Sequence, residues 1–244
     1  MFGSVTGAGK AAAVAAPRTL WGRFKAFERN YRGADWCNFV RDHAEIPVLA
    51  VVFYLAFVFY VPSLLEHRKA FSLRWLFAAW NVFLTLFSVC GSIRTVPRLY
   101  EAFTTEGFDY TVCEDPRTWY FDGPVGVWVA LFIFSKIPEL LDTCFLVLQK
   151  KRVIFLGWFH HATVVLYCWY AFHHRVAPGL WFATMNYLVH SVMYAYYFLM
   201  VFEIFRPYAR AIAPFITVLQ LLQMAVGVSV TMRSAQLYYD NDED

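Results

Sequence analysis

The chain has 244 residues, of which 59% are hydrophobic, 20% aromatic and 16% charged, with a formal net charge of +3. A soluble domain is nearer half apolar and a quarter charged, so this composition does not fit a soluble core and suits lipid-facing helices with aromatic belts. The positive balance sits in short basic clusters and forms no nucleic-acid footprint.

Residues 1 to about 30 are small, basic and poorly patterned (GAGKAAAVAA, then scattered Arg and Lys) and are expected to form a mobile or surface-lying tail. Six apolar runs follow: Ile46–Leu65, about Phe71–Ile93, Val125–Leu148, Val153–Phe172, Leu180–Phe202 and Ala211–Met232. Each is close to the roughly 20 residues a spanning helix needs, and none alternates as a spanning strand would. The expected fold class is therefore an all-α integral membrane protein with six spanning helices. Residues 1–45 form a tail and pre-membrane segment, 46–232 the transmembrane domain, and 233–244 an acidic tail.

The Gln149–Arg152 connection is so short that the third and fourth spans form an antiparallel hairpin. Arg68 and Lys69, Lys150 to Arg152, and Arg206 and Arg210 make the first, third and fifth connections basic. The positive-inside rule places these three in the cytosol and the N-terminus in the lumen, although the N-terminal Lys and Arg argue the other way. Cys37, Cys90, Cys113, Cys144 and Cys168 contain no CxxC pair, so neither a zinc site nor a redox motif is expected. Free buried thiols are the preferred reading, with a Cys90–Cys113 bridge as the alternative.

Ionisable side chains inside apolar spans are costly and mark functional sites. The third span holds Lys136, Glu139, Asp142 and Thr143 at spacings that share one broad face near its cytosolic end. A snorkelling lysine would account for a single charge, but not for three with a threonine. The fourth span holds the adjacent His160 and His161, which point about 100° apart on a helix, so the two cannot play the same part. The fifth carries the stripe Asn186, His190, Tyr194 and Tyr197, and the sixth carries Thr217, Gln220 and Gln223. The last stripe alone reads as interhelical hydrogen bonding. Together, four consecutive polar faces describe a bundle around a reaction chamber.

These segments resemble the very-long-chain fatty acid elongases. Lys136-Ile-Pro-Glu139-Leu-Leu-Asp142-Thr143 matches that family's KxxExxDT box, and His160-His161 falls where it has HxxHH. Asn186 to Tyr197 matches NxxxHxxMYxYY, and Thr217 to Gln223 matches TxxQxxQ. Trp80-Asn81 through Phe87-Ser88 also looks like the family's second helix. The boxes stand in order across about residues 45–232, and Met185-Asn186-Tyr187 looks like the version found in elongases of saturated and monounsaturated chains.

The resemblance implies a seven-helix bundle in the endoplasmic reticulum membrane that condenses acyl-CoA with malonyl-CoA, releasing CO2 and CoA. His160 is the expected nucleophile, paired across the bundle with His190, and His161 orients it or binds substrate. Asn186, Gln220 and Gln223 would meet the oxyanion. Lys136 would pair with the malonyl carboxylate or a CoA phosphate, with Glu139 and Asp142 orienting it and the histidines. Lys150, Lys151 and Arg152 lie where CoA phosphates would arrive, and Thr143, Tyr194 and Tyr197 complete the substrate-binding set. No cofactor or metal is implied. The implied partners are membrane lipid and the ketoacyl-CoA reductase, dehydratase and enoyl reductase of the cycle, and association with a second copy is left open.

Two features depart from the family pattern. Gly157 stands at the first His of HxxHH, and no seventh apolar run follows the sixth. The second departure is expected to mean either a truncated sequence or closure of the bundle by a partner. The alternative reading is a non-catalytic relative that acts as a membrane binding partner. A di-iron desaturase fits poorly, because His43, His67, His173 and His174 lie at different ends, and a transporter would not explain the order of the boxes.

Overall fold

A computed structural model describes residues 19–242, with side chains through Asp240. Its helices run α1 (Leu20–Asn30), α2 (Gly33–Asp42), α3 (Glu45–Leu64), α4 (Arg74–Thr105), α5 (Phe108–Cys113) and α6 (Pro116–Trp119). They continue with α7 (Gly123–Glu139), α8 (Leu141–Leu148), α9 (Phe155–His173), α10 (Gly179–Val201) and α11 (Arg206–Asp242). The protein is an all-α, multi-pass membrane protein. All six apolar runs are helical where the pattern puts them.

Helices α3 and α4 and the helical stretch Glu203–Asp240 are long and apolar enough to cross a bilayer by length and composition, with mean hydropathy of 2.1, 1.8 and 1.9. In α9 and α10, His, Asn and Tyr replace aliphatic residues. The third run is one path built from two helices. Pro138 has no N–H to donate, and the chain tightens so that Leu140 N bonds to Ile137 O at 3.1 Å before α8 resumes. At 32 residues, α4 is about 48 Å long, which carries its far end beyond the hydrocarbon.

The N-terminal expectation needs correction from residue 19 onward, while residues 1–18 lie outside the described residues. Thr19 Oγ1 caps α1 by accepting from Gly22 N at 3.0 Å. Glu28, 2% exposed, accepts from Arg94 Nε and Nη2 at 3.0 and 2.8 Å and from Trp128 Nε1 at 2.9 Å. A buried carboxylate so completely paired fixes α1 against α4 and α7. On α2, Val40 O accepts from Trp169 Nε1 at 2.7 Å, which ties the helix to α9. This segment is docked structure. At the other terminus, α11 runs on through the acidic tail to Asp242.

The basic connections gather at one end. Phe71 N bonds Leu148 O at 3.1 Å, Lys150 Nζ donates to Glu66 O at 3.0 Å, and Arg74 lies 6.0 Å from the ring of Phe202. At the opposite end, Arg233 grips Asp109 at 2.8 and 2.7 Å, and Trp181 Nε1 donates to Thr111 Oγ1 at 2.9 Å. The alternation of ends is therefore as the sequence indicates. All five cysteines are free. Cys37 and Cys168 are buried, whereas Cys90 and Cys113 are exposed, correcting the expectation that the thiols are buried. Helix α4 packs tightly on α10 because Gly91 admits the Tyr187 ring: a Cβ there would stand 2.5 Å from it.

Candidate active site

The polar groups meet at mid-span. His190 lies eleven residues from each end of α10, and Lys136 is buried in α7, thirteen residues from Gly123 and twelve from the end of α8. The site is thus deeper than the expectation of a cytosolic-end face. Lys136 and Glu139, each 3% exposed, form an ion pair whose Nζ lies 2.8 Å from both carboxylate oxygens. The i, i+3 spacing on α7 folds one side chain onto the other. Lys136 Nζ also donates to Asn186 Oδ1 on α10 at 3.0 Å, and it lies 4.3 Å from the centre of the Phe132 ring. An ammonium has three N–H groups, and three acceptors are present. Lys136 therefore has no donor to spare for a malonyl or phosphate group, contrary to the sequence reading. Ser135 Oγ adds a fourth bond to the network, donating to Glu139 Oε1 at 2.7 Å.

The lysine fixes the orientation of its neighbours. Because an ammonium only donates, the Asn186 oxygen faces Lys136 and its amide nitrogen faces His190 Nε2 at 3.0 Å. That nitrogen must donate, so Nε2 of His190 accepts and the neutral ring carries its proton on Nδ1. Nδ1 faces Glu139 Oε2 at 3.9 Å. His190 is thus engaged with Asn186 rather than with His160, because the i, i+4 step along α10 brings its nearest partner.

His160 and His161 lie on α9, the first exposed and the second half-buried, with ring centres 5.8 Å apart. Both are within electrostatic reach of Lys136 and Glu139. Among the described residues, neither imidazole has a hydrogen-bond partner, so both keep a ring nitrogen available to a ligand. A Cβ added at Gly157, one turn away, would meet only Ile154 Cγ1 at 3.6 Å, which is ordinary contact. No close approach in the structure requires glycine there.

Asp142 is not part of the lysine network. It accepts from Trp80 Nε1 at 2.6 Å and from Tyr194 OH at 2.7 Å, joining α4, α8 and α10. Six residues of helix separate it from Lys136 by about 120° of rotation, and the break at Leu140 intervenes. Thr143 instead accepts from Tyr54 OH of α3 at 2.9 Å. Tyr197 is partly exposed and packs 6.3 Å from the Tyr194 ring.

Gln220 donates to Met193 Sδ at 3.2 Å on the flank of α10. Neither it nor Gln223 bonds to the Lys136–His190 network among the described residues, because α11 packs on the outer side of α10 and α5. Lys150, Lys151 and Arg152 are exposed at the basic end. Lys150 braces Glu66, and Lys151 lies 5.6 Å from the Phe77 ring centre. Sequence reasoning passed over Ser135, Tyr54 and Trp80 as site residues. The i, i+4 step from Ser135 to Glu139 was a usable signal. Nothing in the sequence pairs Tyr54 with Thr143 or Trp80 with Asp142.

Comparison with known proteins gives one consistent result. Residues 39–243 match the GNS1/SUR4 family (ELO). Fatty acid elongase 3 of Trypanosoma cruzi (strain CL Brener) is 45% identical over 226 residues, spanning 83% of this chain and 75% of the relative. Fatty acid elongase 3 of Trypanosoma brucei brucei is 44% identical over 232 residues, 86% of this chain and 77% of the relative. Very long chain fatty acid elongase 6 of Gallus gallus is 39% identical over 204 residues, 82% and 74% of the two chains. A match over this much of both sequences makes the chain a member of the GNS1/SUR4 (ELO) family, whose relatives named above are fatty acid elongases.

Proposed function

We propose that this protein is a fatty acid elongase of the endoplasmic reticulum membrane, an acyltransferase that condenses acyl-CoA with malonyl-CoA. The observation that carries this reading is a paired Lys136–Glu139–Asn186–His190 network at mid-span beside two imidazoles with no protein partner. Neutral imidazole is a competent nucleophile toward a thioester. His160 attacks the acyl carbonyl, the C–S bond breaks, and CoA leaves as its thiol, giving an acyl-imidazole. Malonyl-CoA loses CO2, and the electron pair of the broken C–C bond remains on the α-carbon as an enolate. That carbon attacks the acyl group, the imidazole departs and takes up one proton from solvent, and the product is a 3-oxoacyl-CoA two carbons longer.

Asn186 has one amide N–H beyond the one given to His190 and is suited to an oxyanion, whereas Gln220 and Gln223 on α11 stand apart from this network. In this reading, Lys136 and Glu139 hold Asn186 and His190 in place. Asp142 and Thr143 fix α8 through Trp80, Tyr194 and Tyr54. His161 orients His160, and Tyr197 lines the wall. Lys151 and Arg152 meet CoA phosphates at the basic end, with Lys150 beside them. The substrates are the only small molecules required, and a reductase, a dehydratase and an enoyl reductase complete each cycle. Gly157 alone favours a second reading, a non-catalytic relative.

Membranes containing the chain, supplied with labelled malonyl-CoA and saturated acyl-CoAs, test this directly. Product that disappears in His160→Ala supports the condensing reading. No product with any acyl-CoA from correctly inserted protein supports the second, and Gly157→His then shows whether the missing imidazole is the cause.

A further inference from the structure

The end opposite the basic connections carries a polar cup of about 580 Å³, counting its open side. Cys113, Asp115 and Arg117 form one wall, and His174 and Arg175, in the turn between α9 and α10, form the other. None of the Lys136–His190 network lines it.

The turn holds a costly residue. Helix α9 closes with two backbone bonds, Arg175 N to Phe172 O at 3.1 Å and Val176 N to Ala171 O at 3.0 Å. This double closure puts the residue after the cap in the left-handed region, and Arg175 has φ 49°. Glycine serves that position without steric cost, whereas the Cβ of arginine opposes it. The backbone therefore gives no reason for an arginine, and the reason lies in its side chain. The guanidinium rests 5.9 Å from the centre of the Phe121 ring. Its Nε is buried and has no hydrogen-bond partner among the described residues. The other interior cations, Lys136 and Arg94, are paired with carboxylates. A buried donor left unbonded is expensive, and a missing ligand is one account of it.

Arg117 faces the cup from the opposite wall. Its Nε lies 2.8 Å from Asp115 Oδ2, and one Nη2 proton goes to the same carboxylate, so three of its five N–H groups stay free among the described residues. That grip also neutralises Asp115, the carboxylate in the wall. Helix α10 begins just past Ala177 with no side chain capping it, which adds the positive end of a 23-residue helix to the same place. His174 sits on the rim with its ring 4.2 Å from Tyr170, an exposed aromatic on α9.

We propose that this cup binds a phosphate-type oxyanion between the guanidiniums of Arg175 and Arg117. Guanidinium forks match phosphate oxygens in both geometry and charge. Two sources carry that chemistry to this end of the bundle. One is the headgroup of a membrane phospholipid, with its tails along the exposed Tyr170 side of α9. The other is free phosphate from the aqueous side.

The test reads the thiol of Cys113, which is exposed in the wall of the cup. The full chain carrying Cys90→Ala, which removes the other exposed thiol, is labelled with a maleimide in detergent. Labelling is timed alone and with dihexanoyl phosphatidic acid, inorganic phosphate or dihexanoylglycerol, which has the tails without the phosphate. A phosphate probe at about four times its Kd should slow labelling about fivefold, and dihexanoylglycerol should leave it unchanged. Protection by phosphatidic acid alone identifies a lipid headgroup, and protection by inorganic phosphate as well identifies the free anion; either supports the site. Arg175→Gly suits the left-handed turn and so keeps it, yet it should weaken protection about tenfold or more, as should Arg117→Gln. Arg68→Gln, at the basic end, should keep wild-type protection. Labelling of each variant at the wild-type rate without any probe shows that the cup has kept its shape. Absence of protection by both phosphate probes would overturn the site. So would protection that survives both cup-arginine variants or that dihexanoylglycerol matches.

Discussion

Removing one charge from the Lys136–Glu139 pair should cost far more than removing both. The two side chains are 4% exposed and 2.8 Å apart, so removing one partner leaves a buried charge. Lys136→Met leaves the Glu139 carboxylate buried and uncompensated, a loss of about 3–5 kcal/mol for a broken buried pair. For a domain of this size that is a fall in Tm on the order of 10 °C. The double variant Lys136→Met/Glu139→Gln removes both charges and leaves only weakened bonds to Ser135 and Asn186, about 1 kcal/mol each. It should recover most of the lost Tm while remaining inactive, because Asn186 and His190 lose their anchor. Thermal midpoints of the purified protein in detergent, read as the fraction still monodisperse after heating, measure both. A double variant as unstable as the single would refute the charge-imbalance argument, and so would a single variant within about 1 kcal/mol of wild type.

Gly91, which faces a helix interface, and Gly157, which does not, should respond in opposite directions. Gly91→Ala forces a methyl against Tyr187 and should cost about 1–3 kcal/mol, whereas Gly157→Ala meets only Ile154 and should gain about 0.5–1 kcal/mol; the same melts decide. Tyr54→Phe removes the partner of the buried Thr143 hydroxyl and should lower stability by about 1 kcal/mol, with elongation of the best substrate nearly unchanged. The Asp109–Arg233 clamp at the end opposite the basic connections should hold at neutral pH and survive mild acid. Hydrogen bonding to Arg233 pulls the Asp109 carboxyl below its ordinary range, so its contribution is complete above that range and is lost only as pH falls below it. Protection of Arg233 from trypsin should therefore be flat across neutral and mildly acidic pH in wild type and absent in Asp109→Asn.

Composition and run length alone determined that the chain crosses a membrane as helices and where each one lies, because lipid forces every backbone bond to be satisfied within its own segment. The identities of the polar residues were equally legible: Lys136, Glu139, Asn186 and His190 stand out because a charge or amide at that depth needs a reason. The spacing of Lys136 and Glu139 put them on one face, but His190, expected to pair with His160, bonds instead to Asn186 one turn away on its own helix.

What the sequence left open is which helix faces which. Glu28 looks like one more solvated charge in a basic tail until the fold brings Arg94 and Trp128 to it across 66 and 100 residues. Asp142 reads as a partner of Lys136 until the break at Leu140 turns it toward Trp80 and Tyr194. Local geometry follows from the backbone period of one helix. Contacts between helices depend on the relative rotation and depth of separate segments, which only packing of the whole bundle decides.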